Sequence, residues 1–148
     1  MGKLIYSLNV SLDGFAESAD RRLEWANVDD ELHAWFNDQA RRQAASLYGR
    51  RMYETMVAWE TLDQQPGLSA VEQEFARIWK ANQKIVISTT LQEVSSGKTT
   101  IQRRVDPAIV RALKLQSPKG ISVSGPTLAS AFIAAGLVDE ISTYLVPV

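Results

Sequence analysis

The residues best suited to gripping a ligand fall in four short stretches, each following an apolar run. Ser124-Gly125-Pro126-Thr127 breaks the run ISVSG and opens LASAFIAAG, so that strand, glycine turn and helix follow in series. Such a turn exposes backbone N–H groups and the positive end of a helix dipole, which together hold a phosphate. Pro126, with its fixed φ and no N–H to lose, suits the first helical position, and Gly136 in the left-handed conformation suits the helix end. The alternative is that Gly125 only lets a strand turn tightly into a helix, since a full G-x-G-x-x-G is absent.

Gly49-Arg50-Arg51 opens a second helix with two guanidiniums in its first turn, where the dipole disfavours cations. A bound anion would remove that conflict through bidentate, charge-assisted hydrogen bonds, and Arg50 is then expected to meet Gly125 across it. The alternative is two surface arginines paired with acids such as Glu54. Ser88, Thr89 and Thr90 end the run from Lys84. Their hydroxyls can bond phosphate or ribose oxygens, and they equally make side-chain turns. The fourth stretch closes the N-terminal run Lys3 to Val10, where Asp13-Gly14 is a strong turn signal because both residues tolerate positive φ.

These stretches need elements to position them. Phe15 to Asn27 lacks periodicity and reads as a loop over the sheet edge. From Asp29 the pattern is helical, with Leu32, Trp35, Phe36 and Ala40 on one face and Asp29, Asp30 and Glu31 in the first turn. His33, the sole histidine, lies beside that stripe and is assigned no role; alone it cannot build a multi-histidine metal site. Ala44 to Tyr48 reads as a short buried strand. Ser69-Ala70-Val71-Glu72 is a capping box, and packing explains the stripe of Val71, Phe75, Ile78 and Trp79 that follows. Thr99 to Arg104 suits an edge strand, and Asp106-Pro107 starts a helix with Ile109, Val110 and Leu113 toward the core. Strands alternating with helices predict a three-layer α/β/α fold with a mostly parallel central sheet. On that topology all four stretches follow strands and converge on one edge.

With 148 residues, 45% hydrophobic and 22% charged, the chain suits a single globular domain spanning 1–148. A net charge of -1 argues against nucleic acid as a partner, which would require a dominant basic face. The lack of cysteine rules out disulfides, thiolate metal sites and a cysteine nucleophile, and suits a reducing compartment. The first residues lack a secretory signal pattern and no apolar run is long enough for a bilayer, so a cytoplasmic protein with no membrane partner is expected.

LNVSLDG, LYGRRMYE, IVISTT and VSGPTLASAFIAAGLVDEISTYLVPV, in that order, resemble the dihydrofolate-reductase-like superfamily. The resemblance covers nearly the whole chain and is nearest to the branch containing the reductase domain of the bifunctional riboflavin-biosynthesis deaminase/reductase. It implies an NADPH-dependent reductase acting on a small heterocyclic or carbonyl substrate, pterin-like or ribityl-pyrimidine-like. Gly49, Arg50 and Arg51 would then grip the cofactor phosphates, with Ser88 and Thr89 near the adenosine end. Ser124, Gly125, Pro126 and Thr127 would lie along the pyrophosphate, and Asn9 and Val10 would approach the nicotinamide. Asp13, Trp25 and the helix start at Asp30 or Glu31 would border the substrate.

The implied reaction delivers a hydride to a polarised C=N or C=O bond, with a proton from water or a carboxyl group. Glu31 is the first candidate acid and Asp13 the second; such an acid must be desolvated to stay protonated near neutral pH. Their structural alternatives are a helix-dipole acid and a turn aspartate. Where the family has two glycines this chain has Ser124-Gly125, and the family continues past the strand matching ISTYLVPV into further strands. A neighbouring subunit then completes the sheet, or the domain lacks those strands. An uncovered edge invites pairing, so a homo-oligomer, most simply a homodimer, is expected. A non-catalytic nucleotide- or pterin-binding module is the alternative function. A scaffold retaining only the fold is a third, and Arg50 and Arg51 argue against it.

Overall fold

Six parallel strands form the sheet in this computed structural model, which describes residues 1–22 and 25–148. They are β1 Leu4–Ser11, β2 Gln43–Gly49, β3 Gln83–Ile87, β4 Thr99–Gln102, β5 Gly120–Ser124 and β6 Glu140–Val146, lying in the order β4-β3-β2-β5-β1-β6. Parallel neighbours need crossover connections, and helices supply most of them. These are α1 Asp30–Arg41, α2 Arg50–Met56, α3 Ala70–Ala81, α4 Pro107–Gln116 and α5 Pro126–Ala134, with two 3-10 turns, Val57–Glu60 and Leu62–Gln64, between α2 and α3. None of the described helices is long and apolar enough to cross a membrane.

Successive strand residues point to opposite faces, and here the two faces differ in chemistry. On one, Leu4, Tyr6, Leu47, Ile121 and Val123 pack with Val110 and Leu113 of α4 and Ala129 and Phe132 of α5 into a continuous apolar core. The residues between them are Ser7, Asn9, Ser46, Tyr48, Ser122 and Ser124, and they line a cavity whose opposite wall comes from α1 and α3. The sheet is thus covered by helices on both faces, in the three layers expected from the alternation of elements. One cover is close-packed; the other leaves a hollow.

Local signals explain most helix limits. Asp29 caps α1 by accepting from the Leu32 N–H at 2.9 Å. Ser69 and Glu72 form the expected capping box, the Glu72 carboxylate accepting from the Ser69 N–H at 2.8 Å. Gly136, with φ of 67°, follows the end of α5. The α1 stripe departs from expectation. Trp35 is 41% exposed, packing edge-on against Tyr144 of β6 with centroids 5.1 Å apart, whereas Asn37 is wholly buried. The cause is that α1 packs against α3 as well as the sheet: the Asn37 amide donates to the Val71 carbonyl at 2.9 Å and to Glu74 at 3.0 Å.

Candidate functional site

Strands β2 and β5 are neighbours, with Tyr48 in register with Ser124, and each runs directly into a helix. Among the described helices, α1, α3 and α4 receive side-chain caps from Asp29, Ser69 and Asp106. The starts of α2 at Gly49 and α5 at Gly125 receive none. Their first N–H groups therefore lack a side-chain acceptor and lie close together, since a Cβ placed on Gly49 would come 3.9 Å from the Leu128 Cβ in the first turn of α5. Gly125 has a φ of 98° and open space where a Cβ would project, so backbone conformation and not crowding demands glycine there.

The arginines do not meet Gly125 as expected. Arg50 Nε donates to Glu54 Oε1 at 2.7 Å and its Nη1 donates to Thr90 Oγ1 at 3.0 Å, which draws the side chain toward the end of β3. Since β2 separates β3 from β5, that guanidinium leans away from the Gly125 side. Arg51 lies 3.6 Å from Glu17, in the loop that follows β1. The i,i+4 carboxylate of Glu54 and the Thr90 hydroxyl satisfy Arg50 locally, and a shared grip on one anion is not required.

The end of β3 is also occupied by its own turn. The Ser88 hydroxyl accepts from the N–H groups of Thr90 and Leu91 at 3.2 and 3.0 Å, which is the side-chain-turn alternative. Arg103 Nη1 donates to the carbonyls of Ser88 and Leu91 at 3.1 and 2.6 Å, bracing the loop, while Thr89 stays exposed. Tyr53 is buried beneath α2. Its hydroxyl accepts from the Ser95 N–H at 3.0 Å and lies 3.0 Å from Ser96 Oγ, tying α2 to the β3–β4 connection.

The cavity between the sheet and α1/α3 has a volume of about 700 Å3. Its floor carries Ser7, Asn9, Ser46, Tyr48, Ser122 and Ser124; its walls include His33, Phe36, Trp59, Phe75 and Trp79. Ser122 Oγ donates to Ser46 Oγ at 3.0 Å, and Trp79 Nε1 donates to Tyr48 Oη at 3.1 Å. Burial pushes the Tyr48 phenol above its ordinary value, outweighing hydrogen bonds from Ser46 and Trp79, so it stays protonated and neutral. The His33 ring packs against Phe75 at 5.7 Å and Trp59 at 6.3 Å between centroids. Asn9, Ser124 and Met52 bring the cavity to the same sheet edge as the open starts of α2 and α5.

Several expected site residues lie elsewhere. Asp30 and Glu31 are exposed on the first turn of α1 and do not line the cavity, so Glu31 lacks the desolvation an acid would need. Asp13 and Trp25 border a separate depression of about 270 Å3, where Asp13 accepts from Ser11 Oγ at 2.6 Å. Val10 is absent from the cavity lining, which its neighbour Asn9 joins. Pro126 and Thr127 are exposed at the start of α5, as the turn requires. The sequence reading missed Tyr48, Ser46, Ser122, Trp59 and Glu72 as lining residues and gave His33 no role. One signal was available: serines recur every second residue through ISVSG and face Ser46 across the β2–β5 pair.

Known proteins share this architecture. The model of the family described as the RibD C-terminal domain matches residues 2–148. The uncharacterized protein YyaP of Bacillus subtilis (strain 168) is 27% identical over 149 residues, spanning 99% of this chain and 75% of that protein. A Shewanella sp. PV-4 crystal structure, provisionally assigned to riboflavin biosynthesis, superposes with a TM-score of 0.70 at 19% identity, covering 99% of this chain and 77% of that one. A Thermotoga maritima structure described as a diaminohydroxyphosphoribosylaminopyrimidine deaminase/5-amino-6-(5-phosphoribosylamino)uracil reductase gives 0.59 at 10% identity, covering 97% of this chain and 44% of that one.

Proposed function

The chain belongs to the RibD C-terminal domain family, and from that premise we propose that it is a reductase using NADPH to reduce a small heterocyclic compound held in the cavity beneath α1 and α3. The observation that carries this reading is the pair of uncapped helix starts, at Gly49 and Gly125, beside the mouth of a hydroxyl-floored cavity. N–H groups without a side-chain cap at a helix start suit a pyrophosphate, and glycine at position 125 keeps a side chain out of its way. The residues present fit the group.

Bound there, NADPH would supply the hydride. Gly49, Gly125, Thr127 and Leu128 would present backbone N–H groups to the pyrophosphate, and Arg50, Thr89 and Thr90 would border the rim toward β3. Asn9 and Ser124 stand where the rim meets the cavity, and so would set the distance between cofactor and substrate. Ser46, Ser122 and Tyr48 would orient the polar edge of the substrate, while Phe36, Phe75 and Trp79 would exclude water from it. The floor carries no carboxylate, and Glu72, on the wall, is engaged by the Ser69 N–H. In this reading water supplies the proton.

The test is a titration of the chain with NADPH, monitored by quenching of tryptophan emission, since Trp59 and Trp79 line the cavity. Saturable quenching is expected; no quenching at millimolar NADPH would overturn the reading. The structure also favours one alternative, a non-catalytic binding module, because neither Glu31 nor Asp13 reaches the cavity. Such a module would bind NADPH and oxidise none with any heterocycle that binds.

A further inference from the structure

We propose that the substrate admitted by the cavity is a planar heterocycle carrying no phosphate. This rests on the reading of the cavity as the reductase's substrate site, and it deepens that reading by naming the class of compound. Among the described residues lining the cavity there is no lysine or arginine; the ionisable groups are Glu72, His33 and two tyrosines, Tyr48 and Tyr144. A phosphate taken from water into such a space is held best by a guanidinium or an ammonium, and the lining offers neither; its side-chain N–H donors include only neutral amides, such as those of Asn9, Gln39 and Gln43.

The other sources of positive potential are already engaged. Of the helices that wall the cavity, α1 and α3 are both capped: Asp29 accepts from the Leu32 N–H, and Ser69 and Glu72 accept from each other's N–H groups. The carboxylates of Asp30 and Glu31 add negative charge to the first turn of α1. Arg50 is held by Glu54 and Thr90, and Arg51 faces Glu17. Lys84 is wholly buried and donates to the carbonyls of Trp79 and Asn82 at 2.8 and 3.0 Å. The open starts of α2 and α5 are the anion site assigned to the cofactor, not a second one.

What the cavity does offer is complementary to a flat ring. Phe36, Phe75 and Trp79 supply aromatic surface, and the Ser46–Ser122 pair supplies donors and acceptors to a polar ring edge. Glu72 tilts the balance further from an anion. The Thermotoga maritima relative, by contrast, is described as a reductase of a phosphoribosylaminouracil.

The test compares two aminouracils, one bearing a ribosylamino group and the other the same group with its 5′-phosphate, each titrated into the full chain by calorimetry with and without NADPH. The unphosphorylated compound is expected to bind about tenfold or more tightly, as one unpaired buried charge would require. Gln39→Arg, which sets a guanidinium on the cavity wall, is expected to narrow that gap by strengthening the phosphorylated compound alone. Equal or tighter binding of the phosphorylated compound by the unaltered chain, or no saturation by either, overturns the proposal. If the phosphorylated compound binds more tightly and NADPH is oxidised, the substrate class fails while the reductase stands. If the unphosphorylated compound binds more tightly but NADPH is neither bound nor oxidised, the reductase fails while the selectivity stands.

Discussion

The ammonium of Lys114, buried at the end of α4, lies 2.5 Å from Asp139 Oδ2 and also donates to the Leu137 carbonyl at 2.9 Å. The same carboxylate oxygen accepts from the Leu4 N–H at 2.7 Å, and the Asp139 N–H returns a bond to the Leu4 carbonyl at 2.9 Å. One aspartate therefore clips α4, β1 and the approach to β6. It precedes the β1–β6 register that sets Asn9 beside Tyr144 at the cavity. The Asp139 of G-L-V-D-E is a structural residue that acts on the site by placing a strand.

That clip has a pH signature. Burial pushes the Asp139 carboxyl upward, but the Lys114 ammonium and the Leu4 N–H outweigh it and hold the group below the usual carboxylate range. A lowered folded value means the contribution is present above the unfolded aspartate value and is lost as pH falls through the folded one. Urea midpoints measured across acid pH should fall for the unaltered chain and stay flatter for Asp139→Asn. At neutral pH Asp139→Asn should cost about 1–2 kcal/mol, less than for a fully buried pair because the carboxylate is partly exposed.

Gly125 and Gly49 should respond differently to alanine. At φ of 98°, Gly125→Ala carries left-handed strain of about 1–2 kcal/mol and is expected to weaken NADPH binding through the shifted start of α5. Gly49, at φ of -76° with only an ordinary contact awaiting a Cβ, should accept alanine with a change within about 0.5 kcal/mol. Urea melts and fluorescence titrations on the two variants check both statements.

Lys84 closes the end of α3 with two carbonyl acceptors and lies 4.2 Å from the Trp79 ring centroid. Burial lowers its pKa against the opposing pull of Glu60. The unfolded chain then holds that proton to higher pH than the folded one, so stability rises with pH between the folded and unfolded values. Lys84→Met should remove this alkaline rise and cost about 1–3 kcal/mol at neutral pH, as carbonyls of the α3 end lose their donor. Thermal melts between neutral and alkaline pH would show it.

Strand β6 is the outer strand of the sheet on the β1 side, with Ile141 55% and Leu145 63% exposed. An edge carrying apolar side chains favours association, and a homo-oligomer through this edge is the expected outcome. Light scattering at micromolar concentration should give more than the monomer mass, and Leu145→Lys should return it toward the monomer. A monomer in the unaltered chain would remove this expectation.

Much of the frame could be read from residue order, because the signals are local. A cap such as Asp29 or Ser69, a proline such as Pro126 and a terminator such as Gly136 act within one helical turn, so the residues beside them suffice. The alternation of strands and helices likewise placed the ends of β1, β2, β3 and β5 along one edge.

Partners remote in sequence were decided by packing. Arg50 looks the same in sequence whether it faces Gly125 or Thr90, and the placement of β2 between β3 and β5 turned it toward Thr90. Trp35, expected on the buried stripe, is partly exposed, and Asn37 is buried where α1 rests on α3. Ser46 and Ser122 read alike facing water, a helix or a void. The hollow above them lies between the sheet and α1 and α3, and its aromatic lining is drawn from distant turns of the chain.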